Sequence, residues 1–343
     1  ISLMENGKYG ERLIEESIEL HTLNMPQGKI TWCGIKKLFK ILKSTKPDVV
    51  QTWMYHADLI GGVIAKLAGV KKVIWGIRHT THDKNTTSLS TRIVTKLCAY
   101  LSYIVPTMIV SVSFKGVEVH QNIGYKKDIF EVIPNGYDVS SLKIDKEAGL
   151  KIRNEFNIES KQTLIGMVGR YNPQKNHLGF IQAMSMINKM DFKCFFVGIN
   201  CDSNNTILVD QIKQYKLTDK IILLGKRNDV PNIMNALDIH ILSSSYGEAF
   251  PNVVAEAMAC GTPCIVTDVG DAAYIAGATG WTVPVLDNNL LANKIIEVIK
   301  IKNSTDWNEK CMDSRNRIEN TFSLEKIESM YYKLWVELGE SKK

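Results

Sequence analysis

Short apolar runs, each closed by a turn and followed by a segment of helical period, recur along this chain in two series separated by a polar stretch. The first series occupies 49–52, 73–77, 108–113 and 130–133, with helical segments such as 34–43 and 59–68 between its members. The second occupies 164–168, 192–197, 221–224, 239–242, 264–267 and 281–283. Strands that alternate with helices in this way form parallel sheets covered by helices on both faces. Two series joined by the polar stretch 135–161, which holds one further helix at 146–156, predict an α/β protein of two doubly wound domains, 1–158 and 159–322. A ligand cleft is expected at the carboxyl ends of the strands.

Length supports the division, because 343 residues exceed one ordinary core. At 45% hydrophobic and 23% charged residues the composition is that of a globular protein. The net charge of +6 suits phosphate-rich small molecules, an anionic membrane surface or nucleic acid without choosing among them. The seven cysteines are scattered, with no Cys-x-x-Cys pair and no Cys/His cluster, so no metal site and a reduced, cytosolic setting are expected. No signal peptide is seen. The uncharged run 97–114 has the length of a membrane span, but Pro106 and its hydroxyl residues read better as a helix end, a break and a buried strand. Residues 1–4, Ile-Ser-Leu-Met, read as the end of a buried strand running into a turn at Asn6-Gly7.

Two loops at predicted strand ends carry the chemistry. "GRYNPQKN", 169–176, follows a strand with a glycine, two cations and the start of a helix. Gly169 allows a tight turn, Arg170 can fork onto two phosphate oxygens, and Lys175 adds a point charge, which together make an anion site. "SSSYGEAFPNVVAEAMACGTP", 243–263, leads into a helix at 253–260 that Gly261-Thr262-Pro263 stops. The free amides near Asn252 and Val253, with the helix dipole, suit a diphosphate. Glu248 on the preceding loop could accept from hydroxyls of a sugar, and Glu256, one turn inside, could accept both vicinal hydroxyls of a ribose.

"GEAFPNVVAEAMACGTPCIVTDVGD" resembles the E-x7-E signature of the retaining nucleotide-sugar glycosyltransferases of family 4. "GRYNPQKN" resembles their phosphate loop and "VIPNGYD", 132–138, their link between domains. "QTWMYHADLIGG" and "VIWGIRHTTHD" are similar to acceptor-side segments of bacterial members that build surface polysaccharides such as lipopolysaccharide or capsule. The resemblance implies the GT-B arrangement: two Rossmann-like domains facing a central cleft, the second holding the donor and the first the acceptor, with a last segment, 323–343, whose helix crosses back to the first domain. It implies that Arg170 and Lys175 neutralise the donor diphosphate, that Glu256 holds the ribose and Glu248 the transferred sugar, and that Gly169, Phe250, Asn252 and Val253 line the donor. Arg227 falls at the nucleobase position and His79 at a histidine lining the sugar; His56, Asp58 and Arg78 are acceptor-side candidates. The catalytic set is therefore His79, Glu248, Arg170 and Lys175.

The pattern is not followed everywhere. Ala249 stands where a glycine is frequent, Pro251 lacks an amide to donate, and Asn200 replaces a second glycine of "VGIN". The resemblance also implies a first strand with a Gly-rich loop before residue 1. The resemblance implies a UDP- or GDP-sugar as donor; with no Asp-x-Asp in a matching loop, the cations would take the place of a metal, so no cofactor or metal is expected. Retention implies attack on the face the leaving group departs from, without a protein nucleophile. The alternatives are a nucleotide-binding non-catalytic remnant or a sugar-nucleotide 2-epimerase, whose acid/base set is not apparent; the Gly-x-Gly-x-x-Gly of a dehydrogenase is absent. The acceptor is expected to be a saccharide or lipid-linked, with the basic segment 34–46 in peripheral contact with anionic lipid at the inner, cytoplasmic membrane face. Nothing beyond mild charge favours nucleic acid.

Overall fold

The structure is a computed structural model that describes residues 1–340, apart from 8, 27, 81–86 and 303–305. Its first sheet is parallel, in the order β1-β2-β3-β4: Val49–Gln51, Lys72–Ile77, Met108–Ser111 and Phe130–Val132. The second sheet is also parallel, in the order β10-β9-β8-β5-β6-β7. Its strands are Thr163–Val168 (β5), Phe192–Val197 (β6), Ile221–Gly225 (β7), Ile239–Leu242 (β8), Cys264–Thr267 (β9) and Trp281–Val283 (β10). All ten predicted runs are strands. They were readable because β2, β5 and β6 are buried on both faces and so are almost continuously apolar.

The chain winds outward through β5, β6 and β7 and then returns to lay β8 on the other side of β5. That reversal leaves a crevice beyond the carboxyl ends of β5 and β8, where no crossover helix can cover both strands. The loops leaving β5 and β8 are the two motif loops, 169–176 and 243–251. Topology alone thus brings them together. Two cores flank this sheet; Phe195, Val254 and Phe322 lie on one side, Phe180, Phe196 and Ile295 on the other.

The domains meet at a linker. Tyr137 and Ser323 form a parallel bridge, with Tyr137 N–H donating to Phe322 O at 2.9 Å and Leu324 N–H to Tyr137 O at 2.9 Å. From there the helix Leu324–Glu340 leaves the second domain and packs Ile327 and Leu334 against Ile74, Val110 and Ile133 of the first sheet. Trp335 Nε1 donates to Gln51 Oε1 at 2.7 Å on the same face.

One expectation is corrected. Residues 1–4 are not a buried strand: Ser2 makes a single bridge to Thr22, and Ile1 and Met4 are half exposed. The run 97–114 divides, as expected, into the end of the helix Leu89–Leu101 and β3, and among the described residues no helix is long and apolar enough to cross a membrane.

Candidate functional site

The two motif loops are stitched to each other. Ser245 N–H donates to Gln174 O at 2.9 Å and Ser243 Oγ–H to Lys175 O at 2.9 Å, so the loop after β8 takes its shape from the loop after β5. Gly169 N–H donates to Val197 O at 2.8 Å, and Gly198, at φ 149°, sits so close that an added Cβ would lie 2.2 Å from Gly169 O. Asn200 adopts φ 62°, a left-handed conformation that asparagine tolerates better than most residues.

At this junction Lys175 Nζ pairs with Glu248 Oε1 at 2.7 Å, and both side chains are largely buried. Ser244 Oγ–H donates to the same oxygen at 2.8 Å. Lys175 is therefore not a free cation awaiting phosphate, as the sequence suggested, because Glu248 already compensates its charge. Glu248 Oε2 has no partner among the described residues. Arg170 differs: it is exposed, makes no ion pair among the described residues, and lines a cleft cavity of about 520 Å³ with Asn172, Gln174 and Tyr246. The first domain closes that cavity with Tyr55 and His79. Partial burial at this wall lowers the His79 pKa and keeps the imidazole neutral near pH 7.

The helix Asn252–Ala259 starts at Pro251, whose ring ends the loop and whose carbonyl accepts from Val254 N–H at 3.1 Å. The amides of Asn252 and Val253 have no acceptor among the described residues, so they and the dipole face outward. Asn252's side chain is engaged elsewhere, its Oδ1 accepting from Asn135 Nδ2 and from Tyr137 O–H at 2.8 Å each. Glu256, one turn on, lines a second cavity of about 480 Å³ with Arg78, Asn135 and Tyr331. Burial raises the Glu256 carboxyl pKa, and no hydrogen bond or ion pair holds it among the described residues. Arg78 lies over the Trp53 ring at 4.6 Å and donates to Asn135 Oδ1 at 2.5 Å. The neighbours Arg78 and His79 thus face different cavities.

Several candidates stand apart. Asp58 is 1% exposed, accepts from Thr52 Oγ1–H at 2.6 Å and Gly76 N–H at 3.3 Å, and has its pKa pushed up to about 8 by burial. It ties β1, β2 and the helix Tyr55–Leu67 together and is out of reach of an acceptor. His56 is exposed on that helix and lines neither cavity. Phe250 turns inward against Phe322, ring centroids 5.4 Å apart, and does not line the cleft; Val253 is half-buried on the same core. Arg227 is committed to Asp229 at 2.8 Å and Glu155 at 2.9 Å, so a nucleobase would have to share it. Residues 81–83 of "VIWGIRHTTHD" lie outside the described residues. Tyr55, Ser244 and Tyr246 were not singled out from sequence; only the serine run before Glu248 hinted at one of them. Among the described residues no group of three His, Cys, Asp or Glu gathers as metal ligands.

Comparison with known proteins sets this geometry in context. Residues 150–321 match the family described as glycosyl transferases group 1, and residues 5–141 match glycosyltransferase family 4. The chain is 28% identical over 307 residues to the Escherichia coli UDP-Gal:alpha-D-GlcNAc-diphosphoundecaprenol alpha-1,3-galactosyltransferase, covering 86% of this chain and 77% of that one. It is 25% identical over 226 residues to N-acetyl-alpha-D-glucosaminyl L-malate synthase of Bacillus anthracis, covering 64% of this chain and 57% of that one. In fold it is similar to Anabaena HepE solved in complex with UDP, with a TM-score of 0.84 and 18% identity over 98% of this chain and 91% of that one.

Proposed function

The chain belongs to the glycosyl transferases of group 1, and from that premise we propose that it moves a hexosyl group from a UDP- or GDP-sugar to a saccharide or lipid-linked acceptor in surface-polysaccharide synthesis, with retention of anomeric configuration. The observation that carries this reading is the convergence at the β5/β8 crevice of Arg170, the Lys175–Glu248 pair and the amino end of the Asn252 helix, opposite His79. The E. coli relative is named for a UDP-galactose donor and a lipid-diphosphate acceptor, which supports both substrate classes. Departure of a nucleoside diphosphate builds negative charge, and preorganised donors aimed at that charge are the largest catalytic contribution in such sites. Arg170 and the amides of Asn252 and Val253 supply them, and Lys175 shares its charge between Glu248 and the phosphate. In this reading no resident metal is needed. Glu248 Oε1 is held by Lys175 and Ser244, so the carboxylate orients sugar hydroxyls through Oε2 and does not attack carbon; neutral His79 donates to or accepts from a hydroxyl across the cleft. Glu256 holds the ribose.

A test is transfer from UDP- and GDP-hexoses to a polyprenyl-diphosphate saccharide, with product configuration read from the anomeric proton coupling. A product of the donor's own configuration, and nucleotide binding that persists in EDTA, are expected. Inverted product would overturn the retaining mechanism, and binding abolished by EDTA would overturn the metal-free one.

Contact with an anionic membrane is the second half of the proposal. Lys36, Lys37, Lys40 and Lys43 are exposed on the helix Trp32–Thr45, whose apolar face, Leu38 and Leu42, is buried in the first domain. Beside them, at the amino ends of the first sheet and away from the cleft, Lys43, Lys46, Lys71 and Lys72 line a cavity of about 640 Å³. Such a surface attracts acidic headgroups, by about 1 kcal/mol per lysine near the membrane. Co-sedimentation with phosphatidylglycerol vesicles that is lost as salt rises is expected; no sedimentation at low salt would rule the contact out.

A further inference from the structure

Asp271 lies beyond β9 in the second domain and is 4% exposed, yet its carboxylate bonds to the first domain. Oδ2 accepts from Phe114 N–H at 2.8 Å and Oδ1 from Lys115 N–H at 3.0 Å. These are the first two amides of the ten-residue helix Phe114–Ile123, and the third, Gly116 N–H, is capped within the domain by Ser113 Oγ at 2.9 Å. A helix of one domain is therefore capped by a carboxylate of the other, with the dipole adding to both bonds. The Phe114 and Tyr274 rings meet edge to face at 5.1 Å beside this contact.

The same residue also reaches the sugar-binding loop. Asp271 N–H donates to Ala249 O at 2.9 Å, and Gly270, at φ 58°, packs so tightly that a Cβ would lie 2.3 Å from Glu248 O. That carbonyl receives Thr80 Oγ1–H, from the first domain, at 2.6 Å. The Glu248 peptide is thus gripped from both domains at once. A carboxylate suits this task because it accepts two amides in parallel, whereas a carboxamide accepts with one atom and presents an N–H₂ to the other.

We propose that Asp271 is a positioning residue, which docks the second domain onto the amino end of the Phe114–Ile123 helix and by doing so sets Glu248 in place for sugar transfer. The proposal rests on the reading that Glu248 holds the transferred sugar. It separates docking of the domains from capture of the nucleotide: the donor diphosphate is met by second-domain groups whether or not the domains have closed, while the transfer step needs the closed arrangement.

The experiment is Asp271→Asn, followed by amide hydrogen exchange, UDP calorimetry and transfer kinetics. Exchange at Phe114 and Lys115 should quicken about tenfold or more and kcat should fall by roughly as much, the loss of one charge-assisted bond, while UDP affinity stays within about twofold. Phe114→Pro provides an independent arm. It removes one donor from the first domain at a position where proline is tolerated, after Ser113 in extended conformation at φ −150° and ψ 149°, and leaves Asp271 untouched. The same fall in kcat with unchanged UDP affinity is expected. Unaltered exchange in Asp271→Asn would overturn the docking, and faster exchange with wild-type kcat in both variants would overturn the positioning. Wild-type transfer by Glu248→Ala would remove Glu248 from the site and the positioning role with it, while the exchange measurement would still report on docking.

Discussion

The two carboxylates of the E-x7-E segment are alike in sequence and unlike in surroundings. Glu248 is charge-compensated by Lys175 and hydrogen-bonded by Ser244, whereas Glu256 is desolvated and has no partner among the described residues. Their removal should therefore differ in sign as well as size. Glu256→Ala is expected to weaken UDP binding by roughly 1.5–3 kcal/mol, the value of a charge-assisted bond to a hydroxyl. Glu248→Ala frees the cation of Lys175, and the diphosphate is its nearest substitute, so calorimetry should find UDP affinity kept or raised while transfer falls by orders of magnitude. Equal losses of affinity in the two variants would contradict this division. The Glu256 pKa adds a pH signature. Only the ionised form accepts two hydroxyls, and burial shifts its titration upward, so UDP affinity should begin to fall on acidification while ordinary glutamates are still ionised. The Glu256→Gln variant, titrated alongside, should lack that component; coincident curves would assign it to the nucleotide's own phosphate.

At the scale of strands, helices and loops, much was legible because the relevant physics is local. Buried parallel strands announce themselves as apolar runs, and Gly261-Thr262-Pro263 marks a helix end where Ala259 closes it. That 169–176 is the loop leaving β5 could be read from the apolar run 164–168 and the glycine that ends it. What stayed hidden depends on distant partners. Asp58 looks like an acceptor-side acid until Thr52, just past β1, and Gly76 of β2 converge on it. Lys175 looks free until Glu248 arrives from 73 residues away, and Asp271 has no local signal at all, its acceptors being matched 156 and 157 residues upstream. Gly198 offers a check on how rigidly the loops are stacked. With a Cβ 2.2 Å from Gly169 O and 2.9 Å from Arg170 N, Gly198→Ala should displace the phosphate loop. A lower melting temperature, from strain of about 1–3 kcal/mol, is expected together with weaker UDP binding; full affinity in this variant would mean that the loop shifts without consequence.

Across the whole molecule, the end of the chain stabilises the first domain. Leu334 is 3% exposed and packs on Ile74, Val110 and Ile133. Leu334→Ala should cost about 2–5 kcal/mol, seen as an earlier unfolding transition for the first domain, with UDP binding by the second domain retained. A single transition lowered as a whole would show instead that the domains unfold as one. The paired crossing at Tyr137 and Ser323 has a further consequence. The second domain is entered and left through one doorway, so in topological terms it is an insertion held at its neck by two strands of chain lying side by side. Such a ribbon bends readily about one line and poorly about others, which reduces the opening and shutting of the cleft to a swing. It also makes the inserted half a cassette: a cut at the neck removes the second sheet as a unit and leaves the first sheet with the helix Leu324–Glu340 that packs on it.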